Sequence, residues 1–166
     1  SLGKVTYLIE EGAKPKIEYV QFKKNNALTD RQLAGTISTK SRKLFFWPAY
    51  YVQEKVDKDV LKLQEVYQKR SYLDVKVEPQ VTFSQDQKKA YVVFRVTEGP
   101  SYTVDSVNIS GNRFFDGSAL REEFKLSENS LYTNERADFD AKKIRSKYQS
   151  QGYVDVQVNT KRTFLD

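Results

Sequence analysis

The sequence predicts an α+β fold made of tandem β-α-α-β-β modules, each a three-stranded mixed sheet with two helices packed on one face. Three observations predict it. Residues 148–158 closely match residues 67–77 at a spacing of 81 positions. Both copies pass from a helical period to strict alternation of apolar and polar residues. The segments that precede the two copies match each other as well, at a spacing of 87.

Each module opens with an alternating strand, predicted over residues 16–22 in the first module and 103–109 in the second. An Asn-containing turn follows each strand. Gly111 marks this turn strongly in the second module, because glycine adopts backbone angles that other residues avoid. Lys24 holds the matching position in the first module. The turn is therefore predicted less firmly there.

Two helices follow in each module. Thr29 or Asp30 can cap the first short helix, and Asp116 or Ser118 can cap its counterpart. The longer second helix carries a single apolar stripe, which predicts one face buried against a sheet. The stripe consists of Val56, Val60, Leu63 and Tyr67 in the first module and of Ala137, Ala141, Ile144 and Tyr148 in the second.

The first module ends in a hairpin, with a strand over 73–83, a turn at 84–87 and a return strand over 90–97. Segment 154–164 is the counterpart of the first hairpin strand. It follows Gly152, whose place in the first module is held by Ser71.

Residues 4–9 are similar to the return strand, since both run into a Glu-Gly pair. We therefore interpret residues 1–12 as the closing strand of a preceding module. Residues 13–99 then form a complete module, and 100–166 form a second module without its last strand. The strand at 4–9 and the incomplete sheet are complementary in kind, so one molecule's strand could complete the sheet of another.

The net charge of +6 is unevenly distributed. Residues 1–98 carry 18 Lys and Arg against 12 Asp and Glu, whereas residues 99–166 carry 10 of each. The basic character therefore belongs to the first part of the chain. It indicates either an ordinary solvated surface or attraction to an acidic partner such as lipid headgroups, a protein or nucleic acid.

Missing residue types exclude several kinds of chemistry. The sequence contains no Cys and no His, which excludes thiolate or imidazole metal sites and Cys-His or Ser-His catalysis. Asp59 recurs as Asp140, but each stands alone in its module. We interpret both as capping or salt-bridging groups rather than a catalytic pair, and we expect no catalytic residues, no metal and no cofactor. Since the sequence also lacks Met, we expect a processed piece of a longer chain.

The hairpin strands are the first candidate binding site. In a β-α-α-β-β unit the last strand can lie between the other two, which leaves 73–83 and 154–164 on open edges that can accept a strand from another chain. The candidate residues are Val75, Lys76, Val77, Glu78, Val81, Val154, Val156 and Val158. Against this, Lys76, Glu78 and Pro79 are of the types that protect an edge from pairing.

The loop from Lys40 to Pro48 is the second candidate. The spacings of 87 and 81 differ by six residues, and this insertion falls in the loop. Its cations and aromatics suggest a partner-docking patch or a lipid contact, or else a cap on the core. The residues concerned are Lys40, Arg42, Lys43, Phe45, Phe46 and Trp47.

The junctions between modules form the third candidate. Gly12, Gly99 and Pro100 follow the Glu-Gly strand ends or belong to them. Short links of this kind predict a hinge with limited play between modules. The simpler interpretation is a loop that needs glycine for its geometry.

The order of these features resembles the POTRA modules, or polypeptide-transport-associated domains, of outer-membrane barrel-assembly proteins of the BamA type. The resemblance covers the whole chain and is strongest over Val92–Gly99, Val107–Asn112 and Asp140–Val158. It implies a periplasmic location and a non-enzymatic role in protein insertion into the outer membrane. It also implies binding of unfolded outer-membrane proteins and accessory assembly lipoproteins, and delivery to the protein's own C-terminal transmembrane β-barrel. Contact with the membrane surface is a further expectation.

Other functions fit less well. POTRA modules also occur in two-partner secretion transporters, organellar import channels and cell-division proteins, but three consecutive units favour the assembly type. The order of elements is also similar to that of KH domains, which bind nucleic acid. A KH domain needs a Gly-x-x-Gly loop, and no two glycines here have that spacing. No nucleic-acid partner is therefore expected.

Overall fold

The computed structural model describes residues 3–41 and 48–164. In these ranges the elements are β1 (Lys16–Lys23), α1 (Asp30–Thr36), α2 (Gln53–Gln68), β2 (Lys76–Phe83), β3 (Lys89–Thr97), α3 (Gly117–Arg121) and α4 (Asn134–Gln149). The chain divides into two compact units. One contains the residues up to 63 together with 77–96, and the other contains 64–76 together with the residues from 97 onward. The predicted α+β class is confirmed.

The first unit contains a three-stranded sheet in the order β1-β3-β2. The last strand in sequence is therefore the central one, as predicted. β1 runs parallel to β3, with Ile17 opposite Ala90 and Phe22 opposite Phe94. A short turn joins β2 to β3, where the Ser84 N–H donates to the Lys89 carbonyl at 3.0 Å. This arrangement leaves β1 and β2 at the two outer edges.

Alternation along β3 builds the core of this sheet. Ala90, Val92, Phe94 and Val96 are fully buried. The stripe predicted on α2 is buried as well, at Val56, Val60, Leu63 and Tyr67. Removing one such side chain from water contributes about 1.5–3 kcal/mol to folding. The central strand and the helix stripe therefore supply most of the apolar burial that the sequence pattern predicts.

The helices begin at the predicted kinds of residue. Thr29 caps α1 in a reciprocal capping box with Gln32, and the Asp116 side chain caps α3 by accepting the N–H of Ser118. Thr133 caps α4 by accepting the N–H of Arg136. Each cap pairs a backbone N–H that has no partner within its own helix.

Two turns adopt a left-handed backbone in both repeats, although only one repeat has glycine. Gly111 and Gly152 have φ values of 82° and 89°, and their counterparts Lys24 and Ser71 have φ values of 63° and 72°. The weaker turns of the first repeat therefore form in the same conformation. The tertiary structure imposes them on residues that disfavour this region.

Three predicted strands are absent from the described residues, and those predictions are wrong. Segments 4–9, 103–109 and 154–164 contain no paired strand, and the one bridge in this group joins Thr103 to Leu131. The physical reason is the missing central strand. In the first unit both outer strands bond to β3, whereas the counterpart of β3 lies beyond residue 166 at the same spacing.

Candidate strand-binding site

The outer edge of the first sheet is formed by β2. Val75 and Val77 are 5% exposed and face the core, Lys76 and Glu78 are exposed, and Val81 is half-buried. In the part of the chain that the structure describes, β3 is the only strand paired with β2. The outer side of β2 can therefore offer a partner its backbone, whereas its inward valines belong to the core.

The position of Pro79 indicates which backbone groups point outward. Ser84 and Lys89 form a hydrogen-bonded pair with β3, and such pairs recur at every second residue of an antiparallel ladder. Pro79, with no N–H to donate, falls on the alternate set together with Val77 and Val81. That set points away from β3. Proline is tolerated in a strand only on this outward side.

The opposite edge, on β1, is partly covered. Lys16 forms a bridge with Tyr50, and the Ile17 N–H donates to the Ala49 carbonyl at 2.8 Å. The segment after the six-residue insertion therefore blocks the start of β1. Of the two sheet edges, β2 is the one that remains open along its length in the described residues.

The second unit contains an open cleft of about 1290 Å³. Two extended segments, 100–114 and 156–164, line its sides. Side chains from the helices line its floor, including Leu120, Phe124, Ala137, Ala141, Ile144 and Tyr148. Of the predicted edge residues, Val156 and Val158 line the cleft, whereas Val154 is 84% exposed outside it. These valines therefore border a groove rather than an edge of a formed sheet.

The candidate loop falls largely outside the described residues. Lys40 is exposed, while Arg42, Lys43, Phe45, Phe46 and Trp47 lie in the part that the structure does not describe. The docking, lipid and core-cap interpretations of this loop all stay predictions.

The residues predicted as a hinge differ in their surroundings. Gly99 has a φ of +71°, and a Cβ added there would lie 3.3 Å from the Cβ of Asp74. Both the backbone angle and the close contact require glycine. Gly12 has nothing within 4 Å of the equivalent point. Local geometry thus accounts for Gly99, and the hinge role of Gly12, Gly99 and Pro100 stays a prediction.

The recurring aspartates each hold a loop against a helix. Asp59 accepts the N–H groups of Ser38 and Thr39 at 2.8 and 2.6 Å. Asp140 likewise accepts those of Lys125 and Leu126 at 2.7 and 3.0 Å. Asp59 has a side chain with no exposed surface and also pairs with Lys62. Burial alone would raise the pKa of Asp59, but hydrogen bonds from Thr39, Ser38 and Lys62 together lower it.

The sequence analysis missed several contacts made by the loop that follows α2. The Ser71 hydroxyl donates to the Tyr132 carbonyl at 2.7 Å, and the Tyr102 hydroxyl bonds to Asp74. The Tyr67 hydroxyl donates to Glu98 at 3.0 Å. Burial, and then this bond, raise the pKa of Tyr67. Tyr67 and Glu98 both belong to matched repeat positions, which was the available signal.

Two features relevant to other functions can be stated for residues 3–41 and 48–164. Every helix there is too short or too polar to span a lipid bilayer. In the same part of the chain, no three acidic side chains converge on a point where a cation could bind.

Repeated α+β modules with an open sheet edge define a class of tandem-repeat proteins with binding surfaces rather than a catalytic cleft. The chain matches the POTRA family, described as "Surface antigen variable number repeat", over residues 15–99 and 102–165. Because this match covers most of the sequence, the chain belongs to the POTRA family.

Individual relatives agree with this assignment. The chain is 23% identical over 158 residues to the outer membrane protein assembly factor BamA of Neorickettsia risticii (strain Illinois), covering 93% of this chain and 21% of that protein. Its fold is similar to BamA POTRA3-5 of Haemophilus influenzae, with a TM-score of 0.56, 15% identity and coverage of 80% and 50% of the two chains.

A third match is POTRA1-3 of the periplasmic domain of Omp85 from Anabaena, with a TM-score of 0.54 and 15% identity. It covers 85% of this chain and 53% of that one. At these identities the solved structures show the fold alone. The chain spans about a fifth of the length of the curated relatives that it matches.

Proposed function

We propose that this chain is a pair of POTRA modules of a BamA-like outer-membrane protein assembly factor, located on the periplasmic side of the membrane. In this role it binds nascent outer-membrane β-barrel proteins and accessory assembly proteins. It then delivers the former to a transmembrane barrel of the same parent protein. Family membership, and the names and titles of the relatives, support this role.

The open edge of β2 is the observation that carries the proposal. An incoming strand can pair with the outward N–H and C=O groups of the edge while its side chains need only alternate. Such binding tolerates many sequences. That property suits a module that must receive many different barrel proteins.

The residues that resemble protective devices do not close this edge. Side chains stand roughly perpendicular to a sheet, so Lys76 and Glu78 lie beside the path of an added strand rather than across it. Pro79 removes one outward donor between Val77 and Val81. A partner strand therefore has one fewer hydrogen bond to make, which weakens binding and favours one register.

The experiment is an NMR titration of isotope-labelled protein with a peptide taken from a strand of a β-barrel protein, at several salt concentrations. Val81→Pro removes an outward N–H without breaking the β3 ladder, so we expect it to abolish binding. Val81→Ala is the matched control, since it keeps the N–H and should bind as the wild type does. Val77→Pro is less suitable because Val77 belongs to the core.

Binding should be weak, because a single added strand buries well under about 1,200 Å². Shifts confined to β2 and insensitive to salt would support strand addition. Equal binding by the Val81→Pro and Val81→Ala variants would refute it. Salt-sensitive shifts around Lys40 would instead make the basic loop the contact surface.

A further inference from the structure

The cleft of the second unit corresponds to the position that β3 fills in the first. Segments 103–109 and 154–164 are the repeat counterparts of β1 and β2, and both contribute to its sides. The floor shows the consequence. Leu63 and Tyr67 are fully buried, whereas their counterparts Ile144 and Tyr148 are only half-buried and face the cleft. The groove therefore has the place and the lining that a central β-strand requires.

The chain also carries a strand that matches this groove. Residues 5–12 align with residues 92–99 at the repeat spacing, and both end in Glu-Gly. The inward positions Val92, Phe94 and Val96 of β3 correspond to Val5, Tyr7 and Ile9. Those three side chains are 75%, 86% and 82% exposed. An apolar alternating segment with the pattern of β3 is thus left uncovered.

We propose that residues 4–11 of one copy of this chain insert into the cleft of a second copy as its central strand. The register follows from the first unit, where Val20 lies opposite Val92 and Phe22 opposite Phe94. The same spacing places Val5 opposite Val107 and Tyr7 opposite Ile109 of the second copy. The inserted strand then runs parallel to segment 103–109.

A polar contact should accompany the insertion. In the first repeat the Tyr67 hydroxyl donates to Glu98. The counterparts of these residues are Tyr148, which lines the cleft, and Glu11, which follows the inserted strand. Insertion would bring the Glu11 carboxylate of one copy to the Tyr148 hydroxyl of the other. This contact selects a segment that ends in Glu-Gly over other apolar strands.

Each copy has one strand to give and one cleft to fill. Reciprocal exchange closes into a dimer, and non-reciprocal exchange extends into a chain of copies. Either arrangement makes the mass of the particle depend on protein concentration. This association uses the cleft and not the β2 edge, so it is independent of the function proposed above.

The test is sedimentation equilibrium of the whole chain across a dilution series, with two aspartate variants. Tyr7→Asp places a charge at an inward position and should leave the protein monomeric. Leu8→Asp is the matched control, because Leu8 is 95% exposed and corresponds to the exposed Arg95 of β3. It should associate as the wild type does. A monomeric wild type, or equal association of the two variants, would overturn the proposal.

A second measurement locates the contact. A peptide of residues 3–12 is added to labelled Tyr7→Asp protein, with the peptide that carries Tyr7→Asp as the control. We expect saturable shifts at Val107, Ile109 and Ile144 with the first peptide and none with the second. Shifts confined to β2, or no shifts, would show that the cleft does not accept this strand. Val81→Pro should leave the cleft shifts unchanged, which separates this result from failure of the β2 site.

Discussion

Lys24 and Ser71 show how far the fold can force a single residue. Both occupy the left-handed region that their glycine counterparts in the other repeat occupy, at a cost of about 1–2 kcal/mol for an L-residue. Ser71 is fully buried and recovers part of this cost through its bond to the Tyr132 carbonyl. Lys24 is exposed, so its side chain offers little compensation by burial.

Replacing Lys24 with glycine should therefore stabilise the first unit. The relief of left-handed strain exceeds the entropy that glycine loses on folding, which gives a gain of about 0.5–1 kcal/mol. Urea unfolding followed by circular dichroism would measure the change in the free energy of unfolding. Lys23→Gly is the control, because Lys23 ends β1 in an extended backbone and glycine there should destabilise. A loss of stability in Lys24→Gly would contradict this account.

At the scale of elements, the aspartate contacts tie the loop after each short helix to the longer helix. Ser38 and Asp59 are 21 residues apart in the first unit, while Lys125 and Asp140 are 15 apart in the second. The six extra residues are therefore accommodated between two fixed points. The insertion could lengthen the loop because both of its ends are held by the same contact that the other repeat uses.

Asp59→Asn should destabilise the first unit by about 1.5–3 kcal/mol near neutral pH, the range for hydrogen bonds to a charged group. Because the pKa of Asp59 is lowered in the folded state, its stabilising effect is complete above the unfolded pKa of about 4. That effect is lost as the pH falls through the lower folded value. The difference between variant and wild type should therefore shrink in acid.

Urea unfolding at about pH 7 and about pH 3 would measure that difference on either side of the unfolded pKa. Asp57→Asn is the control in the same helix, since Asp57 is exposed. A deficit of the same size at both pH values would rule out the charged form of Asp59 as the source of its effect.

Periodicity predicted the elements of the first unit well, because its strands and helix stripe each have a partner. The α2 stripe, the cap at Thr29 and the central place of β3 all follow from local pattern and from the order of elements. The strands at 103–109 and 154–164 could not be predicted correctly in this way. Their alternation is intact, but a strand forms only against a hydrogen-bonding neighbour, and periodicity does not count neighbours.

The candidate site was predictable only in part. The edge position of β2 follows from the predicted order of elements, and Pro79 marks the outward backbone groups once that order is known. The bond from Ser71 to Tyr132 was not predictable, because it joins residues 61 positions apart and neither belongs to a recurring polar pair. The cleft could be found only by comparing the exposure of matched residues.

For the molecule as a whole, the repeats in sequence and the compact units do not have the same boundaries. The family match divides the chain between residues 99 and 102, whereas residues 64–76 belong to the second compact unit. Within that unit the Tyr102 N–H also donates to the Ser71 carbonyl, at 3.0 Å. The loop after α2 is therefore part of the second unit's structure, although it is written in the first repeat.

Ser71→Ala should loosen the second unit selectively. It leaves the Tyr132 carbonyl without this donor, which costs about 1–3 kcal/mol when the group stays buried. Hydrogen exchange should accelerate at the amides of Tyr102 and Tyr132, while the amides of β3 keep their protection. Ser84→Ala is the matched control, since the Ser84 hydroxyl accepts the Lys89 N–H in the first unit. Uniform acceleration in both units would argue against separate compact units.

The contacts of the loop after α2 also bear on how proteins of this kind gain and lose repeats. A gene duplication or deletion at the repeat junction would transplant a module without the loop that its compact unit includes. The newcomer would then meet a foreign loop at the positions now occupied by Ser71 and Asp74. Copy number can change freely only where neighbours share compatible residues at those positions. Lineages that shuffle modules should therefore vary more on the open sheet edge than at this junction.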